Sequence, residues 1–85
     1  MFYVYLLRSL KDSKSYIGST PDLRRRLVEH ETGKVTSTRP RLPLELIYYE
    51  AYKVEKDARH REANLKLKSR AYAQLRKRLK YSLAL

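Results

Sequence analysis

The chain has 85 residues, no cysteine, and 20 Lys and Arg residues against nine Asp and Glu residues, a formal net charge of +11. This length predicts one domain over residues 1–85 with a single compact core, and the lack of cysteine excludes disulfides and thiolate-held metal centres. The charge favours contact with nucleic acid, because a strongly basic protein attracts the phosphate backbone.

The first two predicted elements form a hairpin. Residues 2–7 are a short run of aromatic and branched side chains, which is typical of a buried strand. Strand alternation divides this run into two faces, one with Tyr3, Tyr5 and Leu7 and the other with Phe2, Val4 and Leu6. A polar turn over residues 11–14 leads to a second strand over 15–19, on which Tyr16 and Gly18 share a face. We expect the two strands to pair antiparallel.

A helix is predicted to begin at the tripeptide Thr20-Pro21-Asp22. Thr20 can cap the first amides, Pro21 suits the first helical position, and Asp22 favours the positive end of the helix dipole. The helix should end at residue 31 or 32, because Gly33 supplies a stop.

Helical spacing separates the polar residues of this first helix. At about 100° per residue, Leu23 and Leu27 define its buried face, and Arg26 and His30 lie on the flank of that face. On spacing alone, the more usual interpretation of Arg26 is an arginine whose stem covers the core edge, and that of His30 is a hydrogen-bonded histidine at that edge. Two further basic residues point away and are interpreted as solvated charge: Arg24 and Arg25.

The second half of the chain predicts a loop, a strand and two helices. Residues 33–43 are a loop with the basic residues Lys34, Arg39 and Arg41. Residues 44–52 return to strand character, and the following composition favours helices over 54–68 and 71–82 with a break at residues 69–70. The order β-β-α-β-α-α predicts an α+β fold, in which helices flank a small three-stranded, mostly antiparallel sheet.

Glu62 lies on an apolar helical stripe between Ala58 and Leu65. A carboxylate in that position is costly unless a cation compensates its charge. One interpretation is a ligand to a single metal ion, and the other is a salt bridge to a basic neighbour.

The final helix also carries an apolar stripe, which consists of Tyr72, Leu75, Leu79 and Leu83. This stripe is expected to pack on the sheet, and its alternative use is to dock a protein partner.

Two tripeptides carry a family resemblance. Tyr3-Val4-Tyr5, followed after ten residues by Tyr16-Ile17-Gly18, resembles the paired tripeptides that name the GIY-YIG nuclease family. Residues 19–30 are similar to the family's first-helix signature, and residues 61–66 resemble the helix that carries its metal-binding glutamate. The resemblance covers about residues 2–68 and departs from the family name at Tyr3, which stands in place of glycine.

The resemblance implies a metal-dependent endonuclease. Glu62 would hold one Mg²⁺ or Mn²⁺ ion, and Arg26 would neutralise charge on the phosphate. Tyr16 would accept a proton from the attacking water, while Tyr5 and His30 assist and orient it. The catalytic residues implied are therefore Tyr5, Tyr16, Arg26, His30 and Glu62. The candidate nucleic-acid contacts are Ser19, Thr20, Arg24, Arg25, Lys34, Arg39 and Arg41.

The resemblance also implies a setting for this activity. The substrate would be DNA rather than RNA, in repair or recombination, and a separate protein would supply the target specificity that larger members obtain from additional domains. The alternative is a nucleic-acid-binding module that keeps the fold without catalysis. No apolar run approaches the roughly 20 residues that span a membrane, so we expect a cytoplasmic protein.

Overall fold

The computed structural model describes residues 1–67 and 70–84. Its elements follow in the order β1 (Phe2–Ser9), β2 (Ser15–Thr20), α1 (Leu23–Glu31), β3 (Leu44–Tyr52), α2 (Glu55–Lys66), α3 (Arg70–Arg78) and α4 (Lys80–Ala84). This is the predicted α+β arrangement, except that the helix expected over 71–82 is divided into α3 and α4. The break was predicted at Ser69 and Arg70. Arg70 is instead the first residue of α3, and Ser69 lies outside the described residues. In the described ranges no helix is long and apolar enough to cross a membrane.

The sheet has the strand order β2-β1-β3, and both pairings are antiparallel. In this register Tyr5 of the middle strand lies between Gly18 and Tyr49. The pairing with β3 shifts between Leu6 and Leu7, which marks an irregularity in β3. The predicted hairpin and its antiparallel pairing are confirmed.

The main core lies between one face of the sheet and helices α2 to α4. Its buried members are Val4, Leu6, Ile17, Ala58, Leu65, Leu75 and Leu79. Tyr72 and Leu83 pack against this cluster. The apolar stripe of the last helices therefore packs on the sheet, as predicted. It belongs to the hydrophobic core and is not an exposed docking surface.

A partly buried carboxylate connects α2 to the sheet. Glu50 on β3 accepts hydrogen bonds from Arg61 Nε at 2.6 Å and from the Tyr52 hydroxyl at 2.6 Å, and Tyr48 binds its other oxygen. Burial opposes the charge on Glu50, but the hydrogen bonds from Tyr48, Tyr52 and Arg61 leave its pKa below the ordinary value. Because Arg61 directly precedes Glu62 on α2, this cluster holds that part of the helix against the sheet.

The start of α1 differs from the prediction. Asp22 is the N-cap, and its Oδ1 accepts a hydrogen bond from the Arg25 amide at 3.1 Å. Thr20 instead accepts from the Asp22 amide at 3.1 Å, so it orders the turn before the helix. Both a carboxylate and a hydroxyl can accept a hydrogen bond from an amide in the first turn of a helix. The sequence alone therefore could not decide which of Thr20 and Asp22 is the N-cap. The end is as predicted, with Gly33 at φ 77°.

Replacing Leu75 by alanine should destabilise the fold by about 2–5 kcal/mol, because the change leaves a cavity between α3 and the sheet. Leu75 is 1% exposed, whereas Leu67, the control, is 75% exposed. Urea unfolding of Leu75→Ala and Leu67→Ala measures the difference, and Leu67→Ala should stay within about 0.5 kcal/mol of the parent protein. Equal effects of the two substitutions would contradict the assigned core.

Candidate active site

A chain of buried hydrogen bonds joins β1, α1 and the loop after α1. The Tyr5 hydroxyl lies 2.8 Å from His30 Nε2, and His30 Nδ1 lies 2.8 Å from Thr38 Oγ1. The Thr38 hydroxyl can donate to the Val35 carbonyl at 3.5 Å, and on that basis we assign the His30 proton to Nδ1, with Nε2 as the acceptor from Tyr5. Burial, followed by the charge of Arg26, lowers the pKa of His30, which agrees with this neutral form.

Gly18 makes room for the Tyr5 ring. A Cβ atom at this position would lie 2.5 Å from Tyr5 Oη and 2.6 Å from its Cζ, so any side chain would displace the ring. The Tyr16 ring lies beside it, with centroids 6.3 Å from Tyr5 and 5.1 Å from His30. Tyr5 and Tyr16, one from each tripeptide, therefore pack with His30 as one cluster of three rings.

Arg26 lies one turn before His30 on α1. Its Nη1 contacts Glu29 Oε1 at 3.1 Å, and its side chain is partly exposed. Hydrogen bonding to Tyr5 raises the pKa of Arg26. Burial raises the pKa of Tyr5 to about 12 although Arg26 opposes the shift, so Tyr5 keeps its proton at neutral pH.

Glu62 extends from α2 to β2, the edge strand that carries Tyr16. Its Oε1 accepts a hydrogen bond from Ser19 Oγ at 2.7 Å, and its Oε2 pairs with Lys66 Nζ at 2.8 Å. Burial opposes its charge, but Lys66 and Ser19 lower its pKa overall, so the carboxylate is ionised. The side chain remains 20% exposed, which leaves it open to a cation. The negative charge of Glu62 also contributes to the raised pKa of Tyr5.

The structure divides the candidate nucleic-acid contacts into separate places. A cleft of about 330 Å³ beside Arg26 is lined by Ser19, Thr20, Pro21, Asp22, Arg25 and Glu29. Arg24 lies in a second cleft, between α1 and β3. The remaining three follow the other end of α1: Lys34 and Arg39 are exposed, and Arg41 faces Asp12 at 3.4 Å.

Three partners of the candidate residues were not predicted: Glu29, Thr38 and Lys66. Glu29 and Lys66 lie three and four residues after Arg26 and Glu62, a spacing at which helical side chains meet, so the sequence contained their signal. Thr38 comes from an irregular loop, and no periodic pattern brings it to His30.

The protein should lose stability as the pH falls below about 6.5, and His30 should contribute to that loss. The lowered pKa of folded His30 means that the unfolded chain takes up its proton first, so stability rises with pH through this window and is complete above it. The contribution is at most about 1.4 kcal/mol per pH unit for one proton.

Urea unfolding at two pH values measures this contribution in the parent protein, in His30→Gln and in the exposed control His60→Gln. His30→Gln should be less stable than the parent but less sensitive to pH, whereas His60→Gln should keep the parent's sensitivity. An unchanged pH dependence in His30→Gln would refute the assignment.

Comparison with known proteins identifies the family of this chain. The family model described as the GIY-YIG catalytic domain matches residues 1–79. A UPF0213 protein of Streptococcus pneumoniae is 45% identical over 69 residues, which are 80% of this chain and 69% of that protein. A UPF0213 protein of Streptococcus agalactiae is 44% identical over 69 residues, 80% of this chain and 77% of that protein.

A solved structure is similar over nearly the whole chain. The solution NMR structure of the UPF0213 protein BH0048 from Bacillus halodurans superposes with a TM-score of 0.57 at 34% identity, and the match covers 99% of this chain and 94% of that chain. Gly18 and Tyr16 of the second tripeptide and His30 of the first-helix signature pack around Tyr5. This chain therefore belongs to the GIY-YIG nuclease family, and its relatives include the small UPF0213 proteins.

Proposed function

We propose that residues 1–85 form one nuclease domain that hydrolyses phosphodiester bonds in DNA with the help of a single divalent metal ion. The observation that carries the proposal is the meeting of Arg26, the Tyr5–Tyr16–His30 cluster and the Ser19–Glu62 pair at β2. DNA repair or recombination in the cytoplasm is the setting that the family resemblance favours.

Glu62 is the proposed metal ligand. The residues present fit such an ion, because the carboxylate is ionised, partly exposed and oriented by the Ser19 hydroxyl. One carboxylate suits Mg²⁺ or Mn²⁺, which keep most of their waters in protein sites. When bound, such an ion polarises the phosphate and stabilises the leaving oxygen. Lys66, whose side chain is half exposed, would move away from Glu62.

Arg26 and Tyr16 are the proposed groups for charge and proton transfer. The Arg26 guanidinium would donate hydrogen bonds to the phosphate oxygens and neutralise the charge that grows on them. Tyr16 would accept the proton of the attacking water. Tyr5 suits that role less, because its hydroxyl is hydrogen-bonded to His30 and burial raises its pKa to about 12. Transfer of the water proton requires positive charge nearby, because a phenol accepts a proton only as its anion, and Arg26 would supply that charge.

The proposed substrate surface begins at the cleft beside Arg26. Ser19, Thr20 and Arg25 line or border that cleft and would contact phosphates there. The more distant basic residues would hold the backbone without reading bases: Arg24, Lys34, Arg39 and Arg41. A protein partner would supply selection of the target.

A nucleic-acid-binding module without catalysis is the second candidate. One observation favours it: Lys66 Nζ lies 2.8 Å from Glu62 Oε2 and so competes with a metal ion for this carboxylate. The excess of basic residues would then serve binding alone.

Replacing Glu62 by alanine or glutamine should reduce metal-dependent DNA cleavage by at least about 10²-fold, because either change removes the charge that holds the cation. Glu55→Ala is the matched control on the same helix, since within residues 1–67 and 70–84 its one ion pair is with exposed Arg59 at 3.6 Å. Cleavage of labelled DNA with Mg²⁺, Mn²⁺ or EDTA measures the effect. Full activity in both Glu62 variants would refute the metal site, and binding without cleavage by the parent protein would favour the module.

Replacing Arg26 by alanine should lower kcat by about 10²–10³-fold, because the growing phosphate charge loses its donor. Arg25 is the matched control: it shares the partner Glu29, at 3.7 Å, but is largely exposed. Arg25→Ala should chiefly raise KM. Steady-state kinetics of both variants measure the split, and equal losses of kcat would show that Arg26 acts only through general charge.

A further inference from the structure

A second cleft lies on the other side of α1, between that helix and β3. It has a volume of about 360 Å³ and is lined by Tyr3, Pro21, Asp22, Leu23, Arg24, Leu27 and Tyr49. The rings of Tyr3 and Tyr49 meet edge to face, with centroids 6.1 Å apart and planes at 61°. The cleft is therefore an aromatic and aliphatic surface with one arginine at its edge.

Tyr49 differs from the other tyrosines of β3. Tyr48 and Tyr52 point to the opposite face of the sheet, where both hydroxyls bind Glu50. Tyr49 is 53% exposed, and neither its hydroxyl nor that of Tyr3 has a hydrogen-bond partner in the part of the chain that the structure describes. The fold thus uses two of these tyrosines internally and leaves the Tyr3–Tyr49 pair facing solvent.

Tyr3 is also the position at which the sequence departs from the first family tripeptide. A glycine there would remove one wall of the cleft and the ring that packs on Tyr49. Tyr3, which replaces the family glycine and has no role in the proposed catalysis, therefore forms part of this surface.

The charges around the cleft suit a polyanion. Arg24 is exposed, and within residues 1–67 and 70–84 its guanidinium has no ion pair. The carboxylate of Asp22 caps α1 through the Arg25 amide, so the positive end of the helix offsets its charge. The net field of the chain, at +11, favours phosphate over other partners.

We propose that this cleft binds an unpaired nucleobase of a single-stranded DNA segment, stacked on Tyr49 and Tyr3 with its phosphate at Arg24. Both clefts share Pro21 and Asp22, so one strand that crosses the start of α1 contacts them together. Bases of an intact duplex are already stacked and cannot enter without being extruded. The inference rests on the proposed function for its nucleic-acid partner, but it requires neither metal nor cleavage.

The test measures binding in EDTA by fluorescence anisotropy, with a labelled single strand, a strand of equal length made of abasic residues, and a duplex. Tyr49→Ala should weaken binding of the single strand by about tenfold, the usual contribution of one stacked base. Tyr49→Phe keeps the ring and should bind like the parent. Tyr81→Ala is the control, because Tyr81 is 80% exposed on α4. Circular dichroism checks that each variant is folded.

The abasic strand provides the decisive comparison. The parent protein should bind it more weakly than the normal strand, and Tyr49→Ala should cause no further loss on it. Equal affinity of the parent for normal and abasic strands, or an unchanged affinity in Tyr49→Ala, would overturn the inference.

Cleavage assays separate this inference from the proposed function. Base-dependent binding without metal-dependent cleavage would support the cleft and refute catalysis. Cleavage at the parent level by a Tyr49→Ala variant with unchanged single-strand affinity would refute the cleft alone.

Discussion

The hydrogen bond between Tyr5 and His30 is the contact on which the candidate active site depends. It joins the middle strand to the last turn of α1, and Thr38 extends it into the following loop. All three side chains are buried, and a buried polar group without its partner costs about 1–3 kcal/mol. The bond therefore holds α1 at a fixed distance from the sheet, and Arg26, one turn earlier on that helix, is placed with it.

The sheet separates two layers that meet at the β2 edge. Tyr5 and Tyr16 lie on the α1 side, whereas Ser19 points to the side of α2 and there binds Glu62. A helix that only packed through aliphatic side chains could slide along the sheet, but the Glu50–Arg61 ion pair opposes such movement. The position of Glu62 relative to Tyr5 thus depends on polar contacts in both layers, not on the apolar core alone.

Local patterns were sufficient to predict the strands and the elements on which the candidate residues lie. Alternation placed Tyr5 and Val4 on opposite faces of β1, and the composition from residue 44 to 52 predicted β3 with its observed bounds. Long-range polar contacts were not predictable in the same way. Glu50 pairs with Arg61 across 11 residues, and Thr38 reaches His30 from a loop without periodicity. Such contacts depend on the tertiary arrangement, whereas residue spacing describes only neighbours on one element.

Internal pairing of the acidic residues determines what the surface offers to a partner. Among the described residues, six of the nine acidic side chains lie in ion pairs: Asp12, Glu29, Glu45, Glu50, Glu55 and Glu62. The excess of basic residues therefore attracts nucleic acid without distinguishing one phosphate from another. Selectivity must come from shape and from aromatic contact. In this chain those properties meet where Tyr3 replaces the glycine of the family tripeptide.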